Sequence, residues 1–160
     1  MKSLFYAGFL LSLSALAGAA ETGNQQVIRA GSQGSQPAVQ TNFTGKVLVT
    51  AGFLQVSPSR TYGAYVTFDP GARTKWHIHP AGQTLIVTFG KGLTQEWGKP
   101  VQEILPGDIV VCPPGVKHWH GAALDSIMTH LAVSESLEGR PVQWLEEVSD
   151  EQYRQSVGDK

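Results

Sequence analysis

One cysteine, Cys112, in 160 residues excludes an intramolecular disulfide as a source of stability. It ends the apolar run "DIVVC", where a thiol reads as a small buried hydrophobe rather than a reactive group. Charge of one sign is missing too: 12 Lys and Arg against 13 Asp and Glu leave a formal net charge of −1. No basic stripe points to nucleic acid, and no acidic block points to a solvated tail. The long apolar run near the start, Leu4 to Leu16, is short and broken by Gly8, Ser12 and Ser14, and does not make a convincing membrane span. The middle of the chain has no stretch with a helical period. What remains is enough chain for one domain, built around an ordinary core.

What is present begins with a leader. Lys2 supplies a positive start, Leu4 to Leu16 an apolar run, and Ala17-Gly18-Ala19-Ala20 small residues for cleavage. Residues 1–20 therefore read as a secretory signal peptide, with an uncleaved anchor as the alternative. The expected product is exported, periplasmic or secreted, with no stable membrane insertion after cleavage. Residues 21–43 are rich in Gly, Ser, Gln and Asn and read as an extended N-terminal arm, although Val27 and Ile28 could dock. Residues 44–145 alternate β-type runs with turn residues. Strands are expected near Lys46–Leu54, Tyr62–Phe68, Gln83–Phe89, Gly92–Trp97, Val101–Leu105, Asp108–Val111 and Ser126–Val133. Such spacing means an all-β sandwich or barrel. Residues 146–160 form the end: Ser149 stands three before Gln152, a capping-box pattern for a short C-terminal helix and tail.

All five histidines fall in the strand-rich region. Strand parity makes His77 and His79 co-facial, and likewise His118 and His120, with Trp119 turned away. It also groups Gln83, Leu85, Val87 and Phe89, and separately Met128, His130, Ala132 and Ser134. Two imidazoles at i and i+2 aim at one point, and a group from the next strand can join them after the turn "PAG". His118, after "PPG", supplies the opposite side if facing strands share a cavity. Trp76, Trp97, Trp119 and Trp144 read as core or interface aromatics. Arg73 and Lys75 read as solvated or salt-bridged near the mouth, and Thr74 as a weak candidate for supporting a ligand.

Gly71-(five residues)-His77-Ile78-His79-(three)-Gln83-(six)-Gly90 resembles the first cupin motif, with Gln83 where a Glu is customary. Gly107-(five)-Pro113-Pro114-Gly115-(two)-His118 resembles the second, although Ala122 replaces its later asparagine. The resemblance implies a jelly-roll barrel, the double-stranded β-helix, with a metal held by His77, His79, Gln83 and His118. "PGARTKWHIHPAGQTLIV", "PGVKHWHGA" and "MTHLAVSE" are further similar to small bacterial manganese cupins, some of which act as hydroxynitrile lyases. That likeness covers Phe43 to Tyr153. It implies a shell of three His and one Gln, with His120 and His130 near the metal and a pocket wall including Ala64, Val66 and Ser134.

A neutral amide in place of a carboxylate leaves the ion formally dipositive, a stronger Lewis acid that also acidifies bound water. Gln83 as a hydrogen-bonder outside the ligand shell stays open as an alternative. Nitrogen and oxygen ligands suit Mn, Fe, Ni or Zn; the likeness puts manganese first. The leading expectation is a lyase that cleaves or forms cyanohydrins, with His130 or His120 as base. The alternatives are a cupin dioxygenase acting on a small phenolic or dicarbonyl compound, and a non-catalytic ligand-binding cupin. The partners expected are a small-molecule substrate and, from the barrel edge, further copies of the chain as a homodimer or larger oligomer.

Overall fold

Short β-branched runs punctuated by Pro and Gly build two antiparallel sheets in the computed structural model, which describes residues 24–154. The expected leader lies outside the described residues. The chain begins with β1 (Ser35–Pro37), a 3-10 turn (Gln40–Asn42) and β2 (Phe43–Thr44). The long pair β3 (Val47–Phe53) and β4 (Thr61–Phe68) follows, then the short β5 (Arg73–Thr74) and β6 (His77–Ile78). Next come β7 (Gln83–Gly90), β8 (Gly92–Glu96), β9 (Gln102–Ile104) and β10 (Ile109–Cys112). The chain finishes with β11 (His118–Ala122), β12 (Met128–Glu135), β13 (Gln143–Trp144) and the helix α1 (Asp150–Arg154).

One sheet runs β1-β3-β4-β12-β7-β10, and the other runs β13-β6-β11-β5-β2 with β8 and β9 attached through β11. In the first, β12 lies between β4 and β7, and its inner residues define three rungs. Tyr62, Ser134 and Gln83 form the outermost rung; Ala64, Ala132 and Leu85 the middle one; Val66, His130 and Val87 the deepest. Phe68, Val47, Met128 and Ala122 close the interior below them. Behind the second sheet, Trp76, Trp119, Leu93, Val148 and Tyr153 make a second core. Both faces of β11 are therefore buried, with Trp119 in this rear core.

The all-β reading with one short terminal helix matches the structure. Ser149 and Gln152 cap that helix reciprocally, through bonds of 3.1 and 2.9 Å. The later part of the N-terminal arm is woven into both sheets: β1 pairs with β3, and β2 with β5. Val27 and Ile28 stay exposed. Two details differ from simple parity. Phe89 is exposed, because Thr129 faces Phe89 while His130 faces Val87, so Thr88 is an extra residue that turns Phe89 outward. Arg73 is buried rather than at a mouth. It bonds the Val148 carbonyl at 3.0 and 3.2 Å, pairs with Asp150 at 2.6 Å and stacks on Tyr153, anchoring the C-terminal segment.

Candidate metal centre

β6 and β11 are antiparallel with His77 directly opposite His118, which brings their rings to 4.2 Å. His79 follows β6 into the turn and is buried beside them. Each of the three rings is held by a main-chain carbonyl on its Nδ1: Lys75 O at 2.9 Å for His77, Pro141 O at 2.7 Å for His79 and Val116 O at 3.0 Å for His118. A carbonyl only accepts, so each Nδ1 carries the proton and donates it. The tautomer fixed in this way leaves a bare lone pair on every Nε2. Among the described residues, His77, His79 and His118 form a group whose ligand atoms all lie within 4.8 Å of one another.

Burial keeps these rings neutral. It pushes His77 well below the usual imidazole range, helped by the neighbouring His118 and His79, and it lowers His79 to about 4 and lowers His118 too. A neutral imidazole with an inward lone pair is the form that a divalent cation takes. Gln83 opens β7 on the opposite sheet, and its Oε1 lies 3.1 Å from His118 Nε2. With the His118 proton committed to Val116, that contact sets a lone pair against a lone pair. The arrangement suits a cation between them; the amide turned over would instead donate its N–H to the ring. In either orientation the Gln83 head group lies beside the imidazoles, and the donor set fits a divalent transition metal.

His120 and His130 make a second pair deeper inside. His130 Nε2 lies 3.1 Å from His120 Nδ1, across the gap between the sheets, and His120 Nε2 and His130 Nδ1 are buried with no hydrogen-bond partner among the described residues. One proton occupies the shared bond. Whichever ring owns it, one outer nitrogen is then a donor and the other an acceptor. Burial lowers His130 to about 3; burial first, then the surrounding imidazoles, takes His120 well down. Phe68 packs against both rings, at 5.8 and 5.6 Å between centroids. Thr74 accepts the backbone N–H of His120 at 3.2 Å, so it positions that strand and not a ligand ring.

The proposed wall residues share this interior. Val66 stands opposite His130, Ala64 opposite Ala132, and Ser134 between Tyr62 and Gln83. Tyr62 belongs to the same face but carries no role in the sequence reading, although its parity with Ala64 and Val66 was the available signal. A cavity of about 240 Å³ lies beside Gln83 and Ser134, bordered mainly by the outward-facing Thr61, Thr84, Val111, Val133 and Glu135 and by Pro113 and Pro114; Tyr62 and the histidines do not line it. Trp144 covers His77 at 4.9 Å, while Trp97 lies half exposed on the outside under Lys117.

Residues 64–134 match the family described as "Cupin domain". The chain is 54% identical over 129 residues to the (R)-mandelonitrile lyase of Granulicella tundricola, spanning 81% of this chain and 98% of that protein. It is also similar to the crystal structure of a cupin-like protein from Thermotoga maritima, with 42% identity, 85% of this chain, 100% of that one and a TM-score of 0.69. A polyketide cyclase from Streptomyces resistomycificus shares the fold at 16% identity and a TM-score of 0.64, over 82% of this chain and 92% of that one.

Proposed function

The chain belongs to the cupin family, and from that premise we propose that it is a metal-dependent lyase of the hydroxynitrile-lyase type. It would cleave a cyanohydrin to an aldehyde and hydrogen cyanide, and run the addition in reverse. The observation that carries this reading is the buried His120–His130 pair, with one free acceptor and one free donor, beside three preset imidazoles. The name of the (R)-mandelonitrile lyase relative supports it. His77, His79, His118 and Gln83 would hold the ion, with manganese proposed first and iron, nickel or zinc as alternatives. When bound, such an ion supplies Lewis acidity that favours an oxyanion over a hydroxyl.

The chain's own residues would handle the proton. At neutral pH both rings of the pair start uncharged, so the free imidazole lone pair can take the substrate hydroxyl proton. The oxygen electrons close to a carbonyl, the carbon–carbon pair leaves with cyanide, and the proton returns from the imidazole to that cyanide. Ala64, Val66 and Ser134 would shape the space for the rest of the substrate. The leader-like residues 1–20 support an exported enzyme.

The test is benzaldehyde release from mandelonitrile by protein stripped of metal and then reloaded. His120→Ala and His130→Ala should each lower turnover by about a hundredfold or more with bound metal retained. Full activity in both variants would remove the proposed relay. Turnover that required dioxygen would favour the oxygenase instead.

A further inference from the structure

Along the inner face of β4 the side chains are Tyr62, Ala64, Val66 and Phe68, so Tyr62 is the one with a polar end. It stands in the outermost rung, across from Ser134 and one strand beyond Gln83, and it is partly open to solvent. Directly opposed residues hold their Cβ atoms about 5 Å apart, so the phenol reaches over the same rung that Gln83 occupies. Its partner is the Ser134 hydroxyl. Either hydroxyl can donate in that pair; with Ser134 as the donor, the phenol O–H is available to a ligand in the chamber.

The other polar groups of the chamber have tasks at the opposite end of a cyanohydrin. The imidazole triad with Gln83, and the His120–His130 pair, suit the hydroxyl oxygen and its proton. Ala64 and Ala132 in the middle rung present only small apolar side chains. What lacks a counterpart is the nitrile, whose nitrogen accepts hydrogen bonds and becomes negatively charged as the carbon–carbon bond breaks. A neutral donor that keeps its proton suits that place, because a stronger acid would be ionised before the substrate arrived. Burial raises the Tyr62 phenol above its ordinary range and so keeps it protonated.

We propose that Tyr62 contacts the substrate, its phenol donating a hydrogen bond to the nitrile nitrogen of the cyanohydrin and to the cyanide released from it. The proposal rests on the lyase reading for its substrate. Tyr62 keeps its proton throughout; the proton that ends on cyanide is the one taken from the substrate hydroxyl.

Two measurements on the metal-loaded protein test it, using the near-isosteric Tyr62→Phe. In the addition direction, Tyr62→Phe should raise the KM for cyanide about tenfold, with the KM for benzaldehyde and the metal content unchanged. Equal shifts for both substrates, or none, would overturn the assignment. The second measurement needs no turnover. Phenylacetonitrile, which lacks the hydroxyl, should bind more tightly than its alkyne isostere 3-phenyl-1-propyne, with a shifted infrared nitrile stretch. Tyr62→Phe should abolish both the preference and the shift. If the wild-type protein shows neither, the inference fails. If mandelonitrile is not turned over but the Tyr62-dependent nitrile preference is present, the lyase reading fails and the nitrile contact stands.

Discussion

His130 offers a measurable consequence of burying an imidazole without a counter-charge. It is fully buried, and burial lowers its pKa from 6.5 to about 3. The unfolded chain therefore binds this proton more readily than the folded one. Stability from the neutral ring is complete above pH 6.5 and is lost as pH falls from 6.5 toward 3. Across the whole window the loss amounts to about 5 kcal/mol. Within it, one proton taken up on unfolding gives a slope of about 1.4 kcal/mol per pH unit. The perturbation is His130→Gln, which keeps a polar end able to reach His120 but removes the titration. Urea unfolding of metal-free protein at about pH 4.5, 5.0, 5.5 and 6.0, all inside that window, should show wild type losing about 1.4 kcal/mol more per pH unit than the variant. Any fixed cost of the substitution moves the variant's line without tilting it, so only the slope difference is diagnostic. Parallel lines would refute the reasoning and mean that His130 is hydrated or has a counter-charge in solution.

Three further outcomes are expected. Manganese added to chelated protein at about a thousand times its Kd should stabilise it by about 4 kcal/mol, read as a rise in Tm of roughly 10 °C. That gain should vanish in His118→Ala and shrink in Gln83→Leu, while Gln83→Glu keeps it. Arg73→Met should cost about 2 kcal/mol in urea unfolding and expose the C-terminal segment to limited proteolysis, since the Val148 carbonyl loses a charged donor. Most of that cost comes from the buried guanidinium, because Asp150 is itself largely exposed. Gly90 has a φ of +75°, and a Cβ there would land on the Ile127 carbonyl. Gly90→Ala should therefore cost at least about 2 kcal/mol in the same assay.

The long strands were legible because alternation over seven or eight residues is a strong signal: β3, β4, β7 and β12 fall where the pattern puts them. The two-residue β2, β5, β6 and β13 carry no period at all, and only their partners define them. Phe89 looked interior because parity assumes an unbroken ladder, and nothing local marks the extra residue at Thr88. Arg73 looked like a mouth residue for a similar reason. Its burial depends on Val148 and Asp150, 75 or more positions away. The histidine cluster was legible because two of its members share a strand end and the third follows a Pro-Pro-Gly turn. Pairing between His120 and His130 was not, since it needs both sheets at their observed separation.

The three carbonyls that aim His77, His79 and His118 belong to Lys75, Pro141 and Val116, and they are main-chain atoms. No side-chain replacement at those three positions deletes the clamp itself. Ala64, Val66, Ser134 and Tyr62 meanwhile all come from the other sheet. If the proposed wall sets selectivity, drift there can proceed on one half of the sandwich while the aim of the imidazoles is inherited from the other. In evolutionary terms the scaffold keeps the part that orients apart from the part that could vary.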